Sequence, residues 1–101
     1  MKIPESFNLG PHEIKIVVED IILKEKSCWG EARLGEREIW LAKELIDGDN
    51  YPNSSKLRVF YHEKIHFILD IMGEDKLRND EKFVDLFASL LLQTDLTAKY
   101  K

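Results

Sequence analysis

His62, Glu63 and His66 stand in the order His-Glu-Lys-Ile-His. On a helix, residues four apart share a face, so both imidazoles can turn toward one cation. Glu63 is rotated about 100° from His62, which puts its carboxylate beside that cation instead of on it. Two neutral imidazoles and one further ligand leave a place for water on a tetrahedral zinc ion. A carboxylate next to such a water is a general base. The chemistry pointed to is metal-assisted hydrolysis, and it requires a helix around the motif and a third ligand nearby.

The helix is supplied by the flanking residues. Asn53-Ser54-Ser55 follow Pro52 as capping candidates, Gly73 is a natural stop, and Lys56 to Met72 contain neither Pro nor Gly. At 100° per residue, Leu57, Tyr61, Ile65, Ile68 and Met72 fall in one sector. Phe60, Phe67 and Ile71 fill the next, and Val59 and Leu69 flank the histidines. A helix apolar almost all round is a buried helix. Its polar sector, His62, Glu63, His66 and Asp70, then needs partners, because burying such groups unpaired costs several kcal/mol.

The third ligand is expected from the helix that follows. Asn79-Asp80 is a capping signal, and Glu81 to Gln93 carry apolar residues at helical spacing. Joined to the first helix through the short stretch Gly73–Arg78, this helix would set Glu81 opposite the histidine pair. Asp85, one turn on, could accept a hydrogen bond from the far ring nitrogen of His62 and so fix its orientation.

H-E-x-x-H on one helix followed by E-x-x-x-D on the next resembles the gluzincin metallopeptidases, the thermolysin-like group. The resemblance spans roughly Leu57 to Gln93. It implies that His62, His66 and Glu81 bind one zinc ion, that Glu63 is the base, and that Asp85 braces His62. The chain departs from the pattern in having Asp80, not Asn, directly before the ligand Glu. It also has no room for the second subdomain whose His or Tyr assists the oxyanion in larger relatives. In size it is most similar to the minigluzincins, with phage-type and repressor-cleaving zinc peptidases of comparable length. That likeness implies a C-terminal segment able to fold into the cleft and keep the enzyme latent. In this chain the segment is Thr94–Lys101, with Tyr100 and Lys101 as the plug; read from composition alone, it is a frayed tail.

The remaining chain bounds the reading. With 101 residues, 44% of them hydrophobic, it makes one folded domain spanning 1–101. No apolar run reaches membrane-spanning length and the N-terminus lacks a signal-peptide pattern, so no membrane partner is expected. The single cysteine, Cys28, excludes an internal disulfide and favours a cytoplasmic protein. A net charge of −4 argues against nucleic acid as partner. A peptide or protein substrate is expected, with the chain a monomer or small homo-oligomer.

Short strands are expected at Phe7–Leu9 and Glu13–Val18, turning at Gly10-Pro11, with Ile14, Ile16 and Val18 toward the core. Cys28–Leu34 and Glu38–Ala42 read as a hairpin around Gly35-Glu36, with Glu36-Arg37-Glu38 a solvated tip and Trp29 and Trp40 covering a sheet face. Glu19–Lys26 fit a short helix or an extended connection, and Lys43–Asn50 a helical turn. His12 reads as a surface turn residue and Cys28 as a buried small one.

The fold class is therefore α+β: a three- to four-stranded, mostly antiparallel sheet packed on the active-site helix and on a second helix carrying the Glu ligand. The expected activity is zinc-dependent endopeptidase. The strand Arg37–Ala42 is the expected rim for an extended substrate, and Tyr51, Tyr61, Tyr100 and Arg33 are candidates for oxyanion assistance. Two imidazoles and a carboxylate favour zinc over manganese or cobalt. The competing reading is a regulatory or partner-binding domain in which zinc only stabilises the fold.

Overall fold

The structure, a computed structural model, describes residues 1–20, 28–48 and 50–100. Among these, four strands come first: β1 (Ser6–Leu9), β2 (His12–Val18), β3 (Gly30–Arg33) and β4 (Glu38–Leu41). Four helices follow: α1 (Lys43–Asp47), α2 (Asn53–Met72), α3 (Asp75–Arg78) and α4 (Glu81–Thr97). The class is α+β, with a four-stranded sheet in the order β1-β2-β4-β3. β1 pairs antiparallel with β2 and β3 with β4, while the central β2–β4 pair is parallel. Of the segment read as Glu19–Lys26, everything beyond Asp20 lies outside the described residues.

Local chemistry explains the turns. β1 and β2 close through Gly10-Pro11, where Gly10 adopts φ 59° and Leu9 faces His12. Glycine at the first central position is what a two-residue hairpin of this kind asks for, and the fixed φ of proline suits the second. The β3–β4 connection runs through residues 34–37, and its positive φ (58°) falls on Arg37, not on Gly35. Gly73, at φ 75°, ends α2 in the left-handed conformation, as its position predicts.

Packing follows the hydrophobic pattern in the core, whereas Ile71 and Met72, at the end of the helix read as buried, are exposed. Ile14, Ile39 and Leu41 from the sheet meet Leu57, Phe60, Ile65 and Phe67 of α2, and Val84, Ala88 and Leu92 of α4 close the other side. Each large side chain buried this way contributes ~1.5–3 kcal/mol relative to exposure. Val18 is 41% exposed, so the inward face of β2 ends at Ile16. Trp40 lies on the face away from Ile39 and Leu41, under the Arg33 guanidinium at 3.7 Å, whereas Trp29 turns its ring toward Tyr51 at 5.1 Å. Cys28 is half-buried against Ala42 and Leu45.

The helix ends differ from the expected ones, and α4 runs on to Thr97, so the first four residues of the segment read as a frayed tail are helical. α2 begins at Asn53, capped by the backbone of Pro52, because the Asn53 side chain donates instead to the Met1 carbonyl at 3.1 Å. The α2–α4 connection holds a short helix, α3, and Asp80 caps α4 by accepting from the Phe83 amide at 3.1 Å. No helix among the described residues is long and apolar enough to cross a membrane.

Candidate metal centre

The centre is built where α2 passes the first turn of α4. His62 and His66 leave α2 on one face, their Nε2 atoms 3.3 Å apart. From α4, Glu81 reaches across to both: Oε2 is 2.9 Å from His62 Nε2 and Oε1 is 3.2 Å from His66 Nε2. Tetrahedral ligands ~2.0–2.1 Å from zinc stand roughly 3.3 Å from one another. The two Nε2 atoms, 3.3 Å apart, are at that spacing, with one Glu81 oxygen within 3.2 Å of each, and two imidazoles with one carboxylate is a zinc-type donor set. Burial holds the His66 ring below its usual pKa, against the pull of Glu81, and a neutral ring is the form that ligates.

Glu63 also has a carboxylate oxygen within the 4.8 Å span of the two imidazoles. Its position differs in kind from that of Glu81. Glu81 is 68% exposed and brackets both Nε2 atoms, whereas Glu63 is 7% exposed beneath β3. Burial, aided by the nearby Glu81 and Glu31 carboxylates and opposed by His62, raises the Glu63 pKa to about 7. A carboxyl with a pKa near neutrality suits a proton carrier, while His62, Glu63 and His66 themselves lie close enough together to hold an ion. Asp85 Oδ1 stands 3.5 Å from Nδ1 of His62, on the far side of the ring from Glu81, where the sequence places a bracing carboxylate.

β3 forms the wall over Glu63. A Cβ on Gly30 would lie 3.2 Å from Glu63 Oε2 and 2.7 Å from Val59 Cγ1, so only glycine lets the strand pass this close. The expected rim strand, Arg37–Ala42, needs correction: β4 is an inner strand, bonded to β2 and β3, and among the described residues β3 is the outermost strand at the site. Hairpin order alone suggests β4 as the outer strand; the parallel β2–β4 pairing puts it inside.

Among the described residues, two cavities open beside Glu63. The larger, about 420 Å³, is lined by Trp29, Leu45, Tyr51, Arg58, Val59 and His62, among others. The smaller, about 290 Å³, lies between β3 and the residues His66, Arg78 and Asn79. Of the four residues considered for the oxyanion, Tyr51 alone lines either cavity. The Tyr61 hydroxyl donates to Asp95, Arg33 sits over Trp40, and Tyr100 is 90% exposed. Tyr100 is therefore in solvent and not in the cleft, and Lys101 lies outside the described residues.

Three site residues escape a motif-led reading: Gly30, Arg58 and Arg78. Arg58 precedes His62 by four positions, so the helical period marks it as a neighbour. Arg78, which touches His66 through its backbone and pairs with Asp70 at 3.1 Å, carries no such signal. Gly30 has none either, since strand order decides which glycine meets Glu63.

No family model matches the chain, and no curated protein or solved structure does.

Proposed function

We propose that the chain is a metal-dependent peptidase in which His62, His66 and Glu81 hold one zinc ion and Glu63 is the general base. The observation that carries this reading is the placement of two imidazole nitrogens 3.3 Å apart, each 2.9–3.2 Å from one oxygen of the Glu81 carboxylate on the facing helix, beside a buried carboxyl. Bound there, zinc supplies a Lewis acid for a peptide carbonyl and acidifies water.

The protein's own groups would do the rest. β3, the last strand of the sheet among the described residues, offers backbone donors and acceptors beside Glu63 on which an extended peptide can align. Glu63 takes a proton from the attacking water as its oxygen bonds to the carbonyl carbon. It then delivers that proton to the amide nitrogen as the C–N bond breaks. Asp85 keeps the His62 ring turned so that Nε2 faces Glu81. Tyr51, at the cavity wall, is the hydroxyl available to a developing oxyanion.

Replacing Glu63 with Gln tests the proposal. Zinc content is expected to be retained while hydrolysis of an unstructured protein falls ~10²–10⁴-fold. Hydrolysis at the wild-type rate in Glu63→Gln would remove Glu63 from the reaction. Zinc binding without hydrolysis in either protein would leave a zinc-stabilised binding domain.

A further inference from the structure

The cavity of about 420 Å³ next to His62 and Glu63 is unequally charged along α2. At its metal end stand Glu63 and Asp85; one turn toward the N-terminus stands Arg58. Its walls between are apolar or aromatic, from Trp29, Leu45, Tyr51 and Val59. Such a pocket, apolar with a few convergent polar groups, is the usual form of a small-ligand site.

Arg58 differs from the two paired arginines of the molecule. Arg33 lies over Trp40 and within 3.6 Å of Glu31 and Glu36, and Arg78 is held by Asp70 at 3.1 Å and Asp75 at 3.5 Å. Arg58, among the described residues, has no carboxylate partner, though Asp85 lines the same cavity. A guanidinium offers a planar fork of donors that fits a carboxylate, and an unpaired one at a cavity wall is free to receive it. The distance is right as well. Four residues of helix place Arg58 ~6 Å along the axis from His62, and an extended peptide advances ~3.3–3.6 Å per residue. A carboxylate on a substrate residue adjoining the scissile bond would reach it.

We propose that Arg58 is a specificity-determining residue that binds a carboxylate on the substrate residue seated in this cavity. Two sources share that chemistry: an acidic side chain, and the α-carboxylate of a C-terminal residue. The role in substrate choice rests on the peptidase reading; the carboxylate site itself does not.

The two tryptophans of the chain give a direct readout, because Trp29 lines the cavity and Trp40 lies on the opposite sheet face under Arg33. Protein labelled with 5-fluorotryptophan is titrated without metal, so that no probe can ligate zinc. N-acetyl-phenylalanine carries the α-carboxylate, N-acetyl-glutamate amide the side-chain carboxylate, and N-acetyl-phenylalanine amide neither. One carboxylate probe is expected to move the Trp29 fluorine resonance, leaving Trp40 in place, and to bind about tenfold or more tighter than the neutral amide. Arg58→Gln should erase that preference and Arg58→Lys restore part of it; which probe responds identifies the source. Equal binding of all three, unchanged preference in Arg58→Gln, or equal movement of both tryptophans would overturn the site. With zinc restored, Arg58→Gln should raise KM for peptides bearing the preferred carboxylate and leave kcat unchanged. An Arg58-dependent carboxylate site in a protein that cleaves nothing would sink the peptidase reading and leave this site standing.

Discussion

Glu81, at the start of α4, places its Oε2 2.9 Å from Nε2 of His62 on α2, tying two helices together at a point exposed to solvent. Below it, Val84, Ala88 and Leu92 hold the same helices by burial. The apolar stripe therefore sets the distance that the polar residues at the rim exploit.

Metal removal should be felt as stability. A cation bound by the native fold and not by the unfolded chain contributes RT ln(1 + [L]/Kd), about 4 kcal/mol at a thousandfold excess over Kd. Thermal unfolding followed by circular dichroism should show a rise in Tm with added zinc, reversed by EDTA. A Tm indifferent to both would deny the ion a place in the fold.

Asp85 should matter to affinity and hardly to folding. Its carboxylate is 63% exposed and stands 3.5 Å from Nδ1 of His62. Loss of such a bracing carboxylate weakens metal binding ~10–100-fold. Asp85→Ala should show that loss in competition with a chromogenic chelator, while its unfolding in EDTA stays within ~0.5 kcal/mol of wild type. Unchanged affinity would mean that His62 is oriented by other contacts.

Gly30 separates shape from charge. A methyl group there meets Val59 Cγ1 at 2.7 Å and Glu63 Oε2 at 3.2 Å. Gly30→Ala should destabilise the fold by ~1–3 kcal/mol through overpacking and lower hydrolysis by displacing Glu63. Zinc content should survive, since no ligand is touched. Full activity in a stable Gly30→Ala protein would show that β3 does not hold Glu63 in place.

Tyr61 gives an alkaline signature away from the centre. Burial, then the hydrogen bond and negative charge of Asp95, push its hydroxyl from 10 up to about 12. The folded pKa lies above the unfolded one, so stability is complete below pH 10 and is lost as pH rises toward 12. Urea unfolding of Tyr61→Phe should begin from a lower stability at pH 8, having lost the bond to Asp95, and decline less between pH 10 and 12. Parallel decline of the two proteins would place the alkaline loss elsewhere.

How far the residues announced this arrangement depends on the range of the interaction. His62, Glu63 and His66 are related by helical period, and Gly73 and Asp80 mark helix ends by local backbone chemistry, so each is readable within a few positions. Glu81 and Asp85 were reachable because a short connection constrains two antiparallel helices. The β2–β4 pairing was not, since a parallel pair joins residues distant in the chain and leaves no short-range pattern. That one pairing moved the rim from β4 to β3 and brought Gly30 against Glu63. Tyr61 likewise looked available beside His62, yet its hydroxyl is committed to Asp95, which is distant in sequence.

The most direct test is calorimetric titration of zinc into metal-free wild-type, Glu63→Gln and Glu81→Ala proteins. One ion per chain is predicted for the first two with similar affinity, and binding weakened at least a hundredfold for the third. Equal binding by Glu81→Ala, or its loss in Glu63→Gln, would contradict the assignment of His62, His66 and Glu81 as the ligands.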